Sequence, residues 1–543
     1  MIERVIENWL VKTNERSFEV PFCNILASKG YTVLHMTRHS AIEFGKDIIA
    51  VAPDGIPCAF QLKSVPGGRI RLRDWRDGIK DQSFDLVVGA INHPSIDSKV
   101  HHRAYLVTNG EIEEEVTRAI DDMNRTWENQ GQTHLKLRTI VKGEIIQDAI
   151  DLRTDLWVKD LDETKLLLEL FLSDGRDNLP KDKLVKLIES VVPVSTKQRE
   201  IQLNNNESNR RLASAALLCS IAISNYTQEQ NYFAEIEGWM IYVAILMAFV
   251  EQRNLDVRYW DNELNIAEYA IFNALSDIYS ELKKREHFVE GNPLYDPYVY
   301  RVRITLLLSL ISVYAIWKDF NGSDNEDEEK EIIRKFIDEN KKYTEIWGEG
   351  AIVQLIVFYM YYRRINSTPE PDGLIIQLIQ FICVTAKRDS RIHLFSPYSD
   401  AERVLTDILN LTDDPPFDTI NGNSYVIASL ISLVVKRNWK QSLKLLWPDI
   451  TKIRIIEFKP DVISDFYRWR CEKGRYIHLE PQHTQEWSEL KKFANTVFED
   501  NIPKLIRNNP ALFLLFLIVF PHRCNADATK WLYDAVKNIY KKD

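Results

Sequence analysis

An α/β domain followed by a large all-α region is what this 543-residue chain predicts. Three observations carry that expectation. Up to about residue 160, short strand-like runs bounded by turn residues alternate with helical periodicities. Beyond it strand patterning nearly vanishes, and apolar residues recur at helical spacing almost to the end. The chain is also too long for one core, so the change of texture reads as a domain boundary, residues 1–160 against 161–543, with a further division near 320–330.

The first region reads in order. "SFEVPFCNILASK" (17–29) is an apolar-periodic helix whose Pro21 falls early enough to be tolerated, and Gly30 ends it. "YTVLHM" follows as a strand, then "DIIAVA" and "PCAFQLKS" as the two limbs of a hairpin around a Pro-Asp-Gly turn. "LRDWRDGIKDQ" is a second helix, "DLVVGAI" and "RAYLVTN" are strands, and "GEIEEEVTRAIDDMNRTWENQ" is a helix with an acidic first turn, as the helix dipole prefers. In the second region "ETKLLLELFL", "NRRLASAALLCSIAIS" and "YFAEIEGWMIYVAILMAFVEQ" are helices, and so are most later segments. Polar breaks separate them, and the run Ser323–Glu329, "SDNEDEE", reads as a solvated loop leading into a helix. No fixed repeat period is present, so a solenoid-like array and an irregular bundle both fit.

Composition excludes some classes. A net charge of −10 argues against wholesale coating of nucleic acid but leaves room for a local basic groove. Cys23, Cys58, Cys219, Cys383, Cys471 and Cys524 show no CxxC spacing, which fits reduced thiols and gives no zinc signal. The first residues lack the apolar core of a signal peptide. The longest apolar runs fall short of the roughly 18 residues a spanning helix needs, so a cytoplasmic protein without membrane contact is expected. No glycine-rich phosphate loop supports an ATP-driven motor.

The hairpin carries the chemistry. Alternate strand side chains share a face, so Gln61 and Lys63 project together, and Asp47 at the start of the other limb can lie beside them. The Asp47 carboxylate, the Gln61 amide oxygen and the Leu62 backbone carbonyl suit a hard cation, Mg²⁺ or Mn²⁺. Lys63 can orient or help deprotonate a water and offset phosphate charge. Glu19, on the preceding helix, is placed to add a further oxygen group.

The series Glu19, Asp47 after "FGK", then Gln61-Leu62-Lys63 resembles the active-site signature of restriction-endonuclease-like nucleases, the PD-(D/E)XK superfamily, and more narrowly its Mrr-type branch. "ILASKGYTV" resembles that branch's first helix and strand, and "AYLVTNGEIEEEVTRAI" its late strand and final helix; the resemblance spans roughly residues 15–125. It implies a restriction-endonuclease-like fold for residues 1–160, with Asp47 binding metal, Gln61 standing where an acid is usual, Lys63 as catalytic lysine and Glu19 as accessory acid. The neutral Gln61 lowers the negative charge and leaves one or two metals open.

After this strand comes "GGRIRLRDWRDG", in which Arg69, Arg71, Arg73 and Arg76 can neutralise backbone phosphates without reading sequence; pairing with Asp74, Asp77 and Asp81 is the alternative. His39 and Glu43 lie close in sequence to Asp47, and His101-His102 precede the late strand. Arg388–His393, "RDSRIH", has a spacing that resembles HEPN-type ribonuclease motifs but falls at a helix end. The function these features imply is a metal-dependent DNA endonuclease. By fold-level analogy it would be the effector of a bacterial anti-phage or restriction system, controlled by its helical region through a homo-oligomer or hetero-complex. The alternative is a non-catalytic DNA-binding scaffold with a degenerate nuclease fold, and the choice between DNA and RNA stays open.

Overall fold

A computed structural model of the chain describes residues 2–36, 46–153, 156–157, 160–194, 203–284, 297–322, 327–366, 368–386, 394–399, 404, 422–469, 475–479 and 486–540. His39, Glu43 and the 388–393 motif lie outside these residues, as does most of the "SDNEDEE" run. The chain forms two compact units, Met1–Ala274 and Leu275–Asp543.

The first unit opens with α1 (Ile2–Lys12) and α2 (Glu15–Ser28). Asn14 caps α2 by accepting from the Ser17 N–H, and Pro21 sits in its second turn, where one missing donor is borne. Then come β1 (Thr32–Met36), β2 (Ile48–Val51), β3 (Pro57–Lys63) and the short β4 (Arg69–Ile70). A brief α3 (Leu72–Asp74) leads through a π-helical turn into α4 (Lys80–Val88), followed by β5 (Arg103–Thr108) and β6 (Glu111–Ile112). α5 (Glu114–Asn129), β7 (Leu137–Ile140) and α6 (Lys142–Arg153) complete the α/β part. The main sheet has the order β1-β2-β3-β5-β7, antiparallel over its first three strands and parallel over the last three. An α/β start with a mixed sheet is thus present.

Both faces of the sheet are covered, which is why β3 is apolar almost throughout. On one face Phe60 packs edge-on against Phe22 of α2, with ring centroids 5.7 Å apart, and stacks on Tyr105. On the other, Ile49, Ala59, Ala104 and Leu106 meet Trp75, Leu86, Val116, Ile120 and Trp127. Helices α7 (Leu161–Phe171), α8 (Lys181–Val191), α9 (Asn205–Ala222), α10 (Ser224–Gln228), α11 (Tyr232–Arg253) and most of α12 (Asp261–Lys284) belong to the same unit. α9 lies on α2, where Asn24 Nδ2 donates to Ser220 Oγ at 3.4 Å. The strands of the α/β part end near residue 140, but the packing division falls between Ala274 and Leu275.

Two expectations are corrected. The "DLVVGAI" run is no strand: Asp85–Val88 finish α4, and Gly89 is its C-cap. Ser83, Leu86 and Val87 form the buried stripe of that helix, and a three-residue apolar run does not distinguish the two structures. The C-terminal region is mainly helical but not all-α. β8 (Asn423–Ser424), β9 (Arg454–Lys459) and β10 (Arg475–Leu479) form a small sheet in the order β10-β9-β8. "RIIEFK" is too short for a helix and rich in β-branched and aromatic residues. Elsewhere in that unit the helix Pro297–Phe320 packs on Glu349–Ile365, and Pro510–Val519 lies against both.

Among the described residues two helices, Tyr232–Arg253 and Pro297–Phe320, are long and apolar enough to cross a membrane by length and composition. Within the fold 94% and 67% of their apolar windows are buried, as in core helices. The five described cysteines are buried and free of disulfides.

Candidate active site

The hairpin is built as its residues dictate. β2 and β3 pair antiparallel from Ile48↔Phe60 to Val51↔Pro57. Gly55 turns the chain at φ +82°, and the Gly55 N–H donates to the Ala52 carbonyl at 2.8 Å. Continued one residue further, this register would set Asp47 opposite Gln61. The ladder instead slips, because the Asp47 N–H donates to the Phe60 carbonyl at 2.9 Å. Its side chain makes up the difference: Oδ2 accepts from the Leu62 N–H at 2.6 Å. Within one residue of an extended strand the N–H and C=O point to the same side, so the Leu62 carbonyl faces toward Asp47 as well.

Gln61 lies on the face covered by α4 and is 2% exposed. Its Nε2 donates to Gln82 Oε1 at 3.0 Å, and among the described residues its own Oε1 is buried with no hydrogen-bond partner. A buried acceptor left unmet costs about 1–3 kcal/mol, and a hard cation is one way to meet it. Lys63 is partly exposed at the strand end, with Nζ 3.6 Å from Glu15 Oε1. Glu19, one turn further along α2, is buried; burial and then the Glu19 carboxylate push the Cys23 thiol well above its ordinary value. Glu15 is thus a carboxylate beside Lys63 that no motif in the sequence marks. Only the Lys63 partner in space marks it.

Among the described residues no group of three or more His, Cys, Asp or Glu side chains converges to hold a metal. The oxygens this end of the hairpin offers are one carboxylate, one amide and one backbone carbonyl. That set fits a hard, weakly held cation such as Mg²⁺, and it does not fit a soft metal.

Three further residues shape the site without a sequence signal of their own. Lys46, just before Asp47, is buried, and its Nζ lies so close to Gly89 that a Cβ there would come within 3.0 Å. Burial lowers its pKa, while nearby Asp85 opposes the shift. Gln82 of α4 positions the Gln61 amide. Asn109, fully buried after β5, donates from Nδ2 to the carbonyls of Leu10 (2.9 Å) and Thr13 (2.7 Å) and accepts at Oδ1 from the Val65 N–H (2.8 Å).

Arg69, Arg71, Arg73 and Arg76 are all exposed, along β4 and the turn after it. Of the ion pairs considered for them, one forms. Arg73 pairs with Asp77 at 3.2 Å, while the Asp74 carboxylate accepts from the Arg71 backbone N–H at 3.0 Å rather than from a guanidinium. Trp75 is buried in the core and offers no stacking surface. His102 is tied to the Leu86 carbonyl at 2.8 Å, and burial lowers its pKa; His101 packs against His134 with ring centroids 3.9 Å apart and planes tilted by 31°.

No protein-family model, curated protein or solved structure matches the chain.

Proposed function

We propose that the chain is a metal-dependent endonuclease that cleaves DNA phosphodiester bonds at the Asp47–Lys63 end of the hairpin. The observation that supports this most is the buried, unmet Gln61 Oε1, one residue before the Leu62 whose N–H Asp47 holds and two before Lys63. A cation such as Mg²⁺ would be held by the Asp47 carboxylate, Gln61 Oε1 and the Leu62 carbonyl, and would supply charge neutralisation at the phosphate and a more acidic water. Lys63 reaches solvent where the rest of β3 does not, so its ammonium can hold the attacking water or offset phosphate charge. Glu15 orients that ammonium. The exposed arginines from Arg69 to Arg76 meet backbone phosphates and align the duplex without reading its sequence. Helices outside the α/β part control the enzyme through an oligomer or partner complex, in a cytoplasmic bacterial defence role.

The test is cleavage of plasmid, linear duplex, single-stranded DNA and RNA by the full chain with Mg²⁺, Mn²⁺ or EDTA, beside Lys63→Ala. The parent should cut DNA, EDTA should stop it, and Lys63→Ala should be slower by about 10²–10³-fold. A variant as fast as the parent overturns the assignment. A parent that binds duplex and cuts nothing is the scaffold instead.

A further inference from the structure

The "TNG" that closes β5 has no part in the chemistry above, yet its asparagine is fully buried and fully used. The Asn109 carboxamide joins three segments of chain. Nδ2 donates to the Leu10 and Thr13 carbonyls at the α1–α2 junction, and also approaches Ser64 Oγ at 3.2 Å. Oδ1 accepts from the Val65 N–H at 2.8 Å, and Ser64 Oγ in turn donates to the Thr13 carbonyl at 2.8 Å. Lys63 is the residue before Ser64, and Glu15 is two residues after Thr13. The two members of the ion pair therefore hang from opposite jaws of one clamp. Gly110 adds to it by allowing close approach: a Cβ there would sit 2.7 Å from the Gly68 carbonyl oxygen and 3.0 Å from that of Val65. The same loop runs on to Arg69, so the clamp also fixes where the exposed arginines begin.

We infer that Asn109 is a positioning residue that places the Lys63 ammonium against Glu15, with Gly110 holding the following loop in the same register. The catalytic meaning of that placement rests on the nuclease reading; the placement itself does not. Only an amide serves here, because the site needs donors toward two carbonyls and an acceptor toward one N–H. An aspartate would set a carboxylate oxygen against the Leu10 and Thr13 carbonyls.

Zero-length carbodiimide coupling of lysine to carboxylate, followed by peptide mass spectrometry of the full chain, reads the placement directly. In the parent both Lys63–Glu15 (3.6 Å) and the remote pair Lys183–Glu169 (2.8 Å) should couple. Asn109→Ala, Asn109→Asp and Gly110→Ala should each lose the first product several-fold and keep the second. Wherever the parent cleaves DNA, kcat should fall by about 10²-fold in Asn109→Ala, with KM nearly unchanged, as an ångström-scale displacement of a reacting group costs. Equal Lys63–Glu15 yields in parent and Asn109→Ala, or loss of both products, would overturn the inference. A parent that cuts no nucleic acid would instead end the nuclease reading and leave the coupling result to decide the clamp.

Discussion

Asp47 has two separable jobs in this fold, and two substitutions divide them. Asp47→Ala removes the acceptor of the Leu62 N–H, a 2.6 Å bond at a residue that is 1% exposed. A buried N–H left without an acceptor costs about 1–3 kcal/mol. Asp47→Asn keeps an oxygen there and forfeits only the extra strength of a bond to an ionised group, about 1 kcal/mol. Both variants remove the carboxylate. The assay is amide hydrogen exchange of the β3 peptide, read beside DNA cleavage. An opening free energy lower by about 1–3 kcal/mol speeds exchange by about 5- to 150-fold, so Asp47→Ala should exchange within that range and Asp47→Asn near its lower end. Cleavage should be lost in both. Exchange in Asp47→Ala at the parental rate would refute the bond's role in holding the hairpin. Cleavage by Asp47→Asn at the parental rate would refute the carboxylate's role in the chemistry.

Three other outcomes follow from the same structure. Replacing Arg69, Arg71 and Arg73 together by Ala should weaken duplex binding for every sequence and reduce the salt-dependence slope by about three at most; filter binding across a salt series with unchanged affinity would return them to local pairing. Glu263 is fully buried, and burial raises its pKa from 4.5 to about 7 against the opposing Asn209 hydrogen bond. Its protonated form stabilises the fold below pH 4.5, and that contribution is lost as pH rises to about 7. Glu263→Gln should therefore be more stable than the parent at pH 8 by up to about 3 kcal/mol relative to pH 4.5 in urea titrations, and parallel pH profiles would contradict this. Glu349, also raised to about 7, titrates in both chains and cancels. Gly175 has φ +79°, and a Cβ there would lie 2.3 Å from the Asn225 carbonyl oxygen. Gly175→Ala should destabilise its unit by about 2 kcal/mol or more, and a melting temperature equal to the parent's would show that the loop simply moves aside.

What the sequence determined by itself was local. The hairpin limbs, the Gly55 turn and the joint appearance of Asp47, Gln61 and Lys63 were legible because a two-residue period and a short turn fix which side chains share a strand end. The helices were legible for the same kind of reason, since Gly30 after α2 and the acidic first turn of α5 are signals written within one turn. The tertiary structure decided everything that depends on what covers a segment. Asp85–Val88 became helix rather than strand because α4 buries Leu86 and Val87 against the sheet and α5. Glu15 met Lys63, and Asn109 joined the α1–α2 junction to the end of β3, through contacts between residues some 45 to 100 positions apart. Periodicity carries no information at that range, because a hydrogen bond's energy depends on where its partner lies in space and not on how far along the chain it was made.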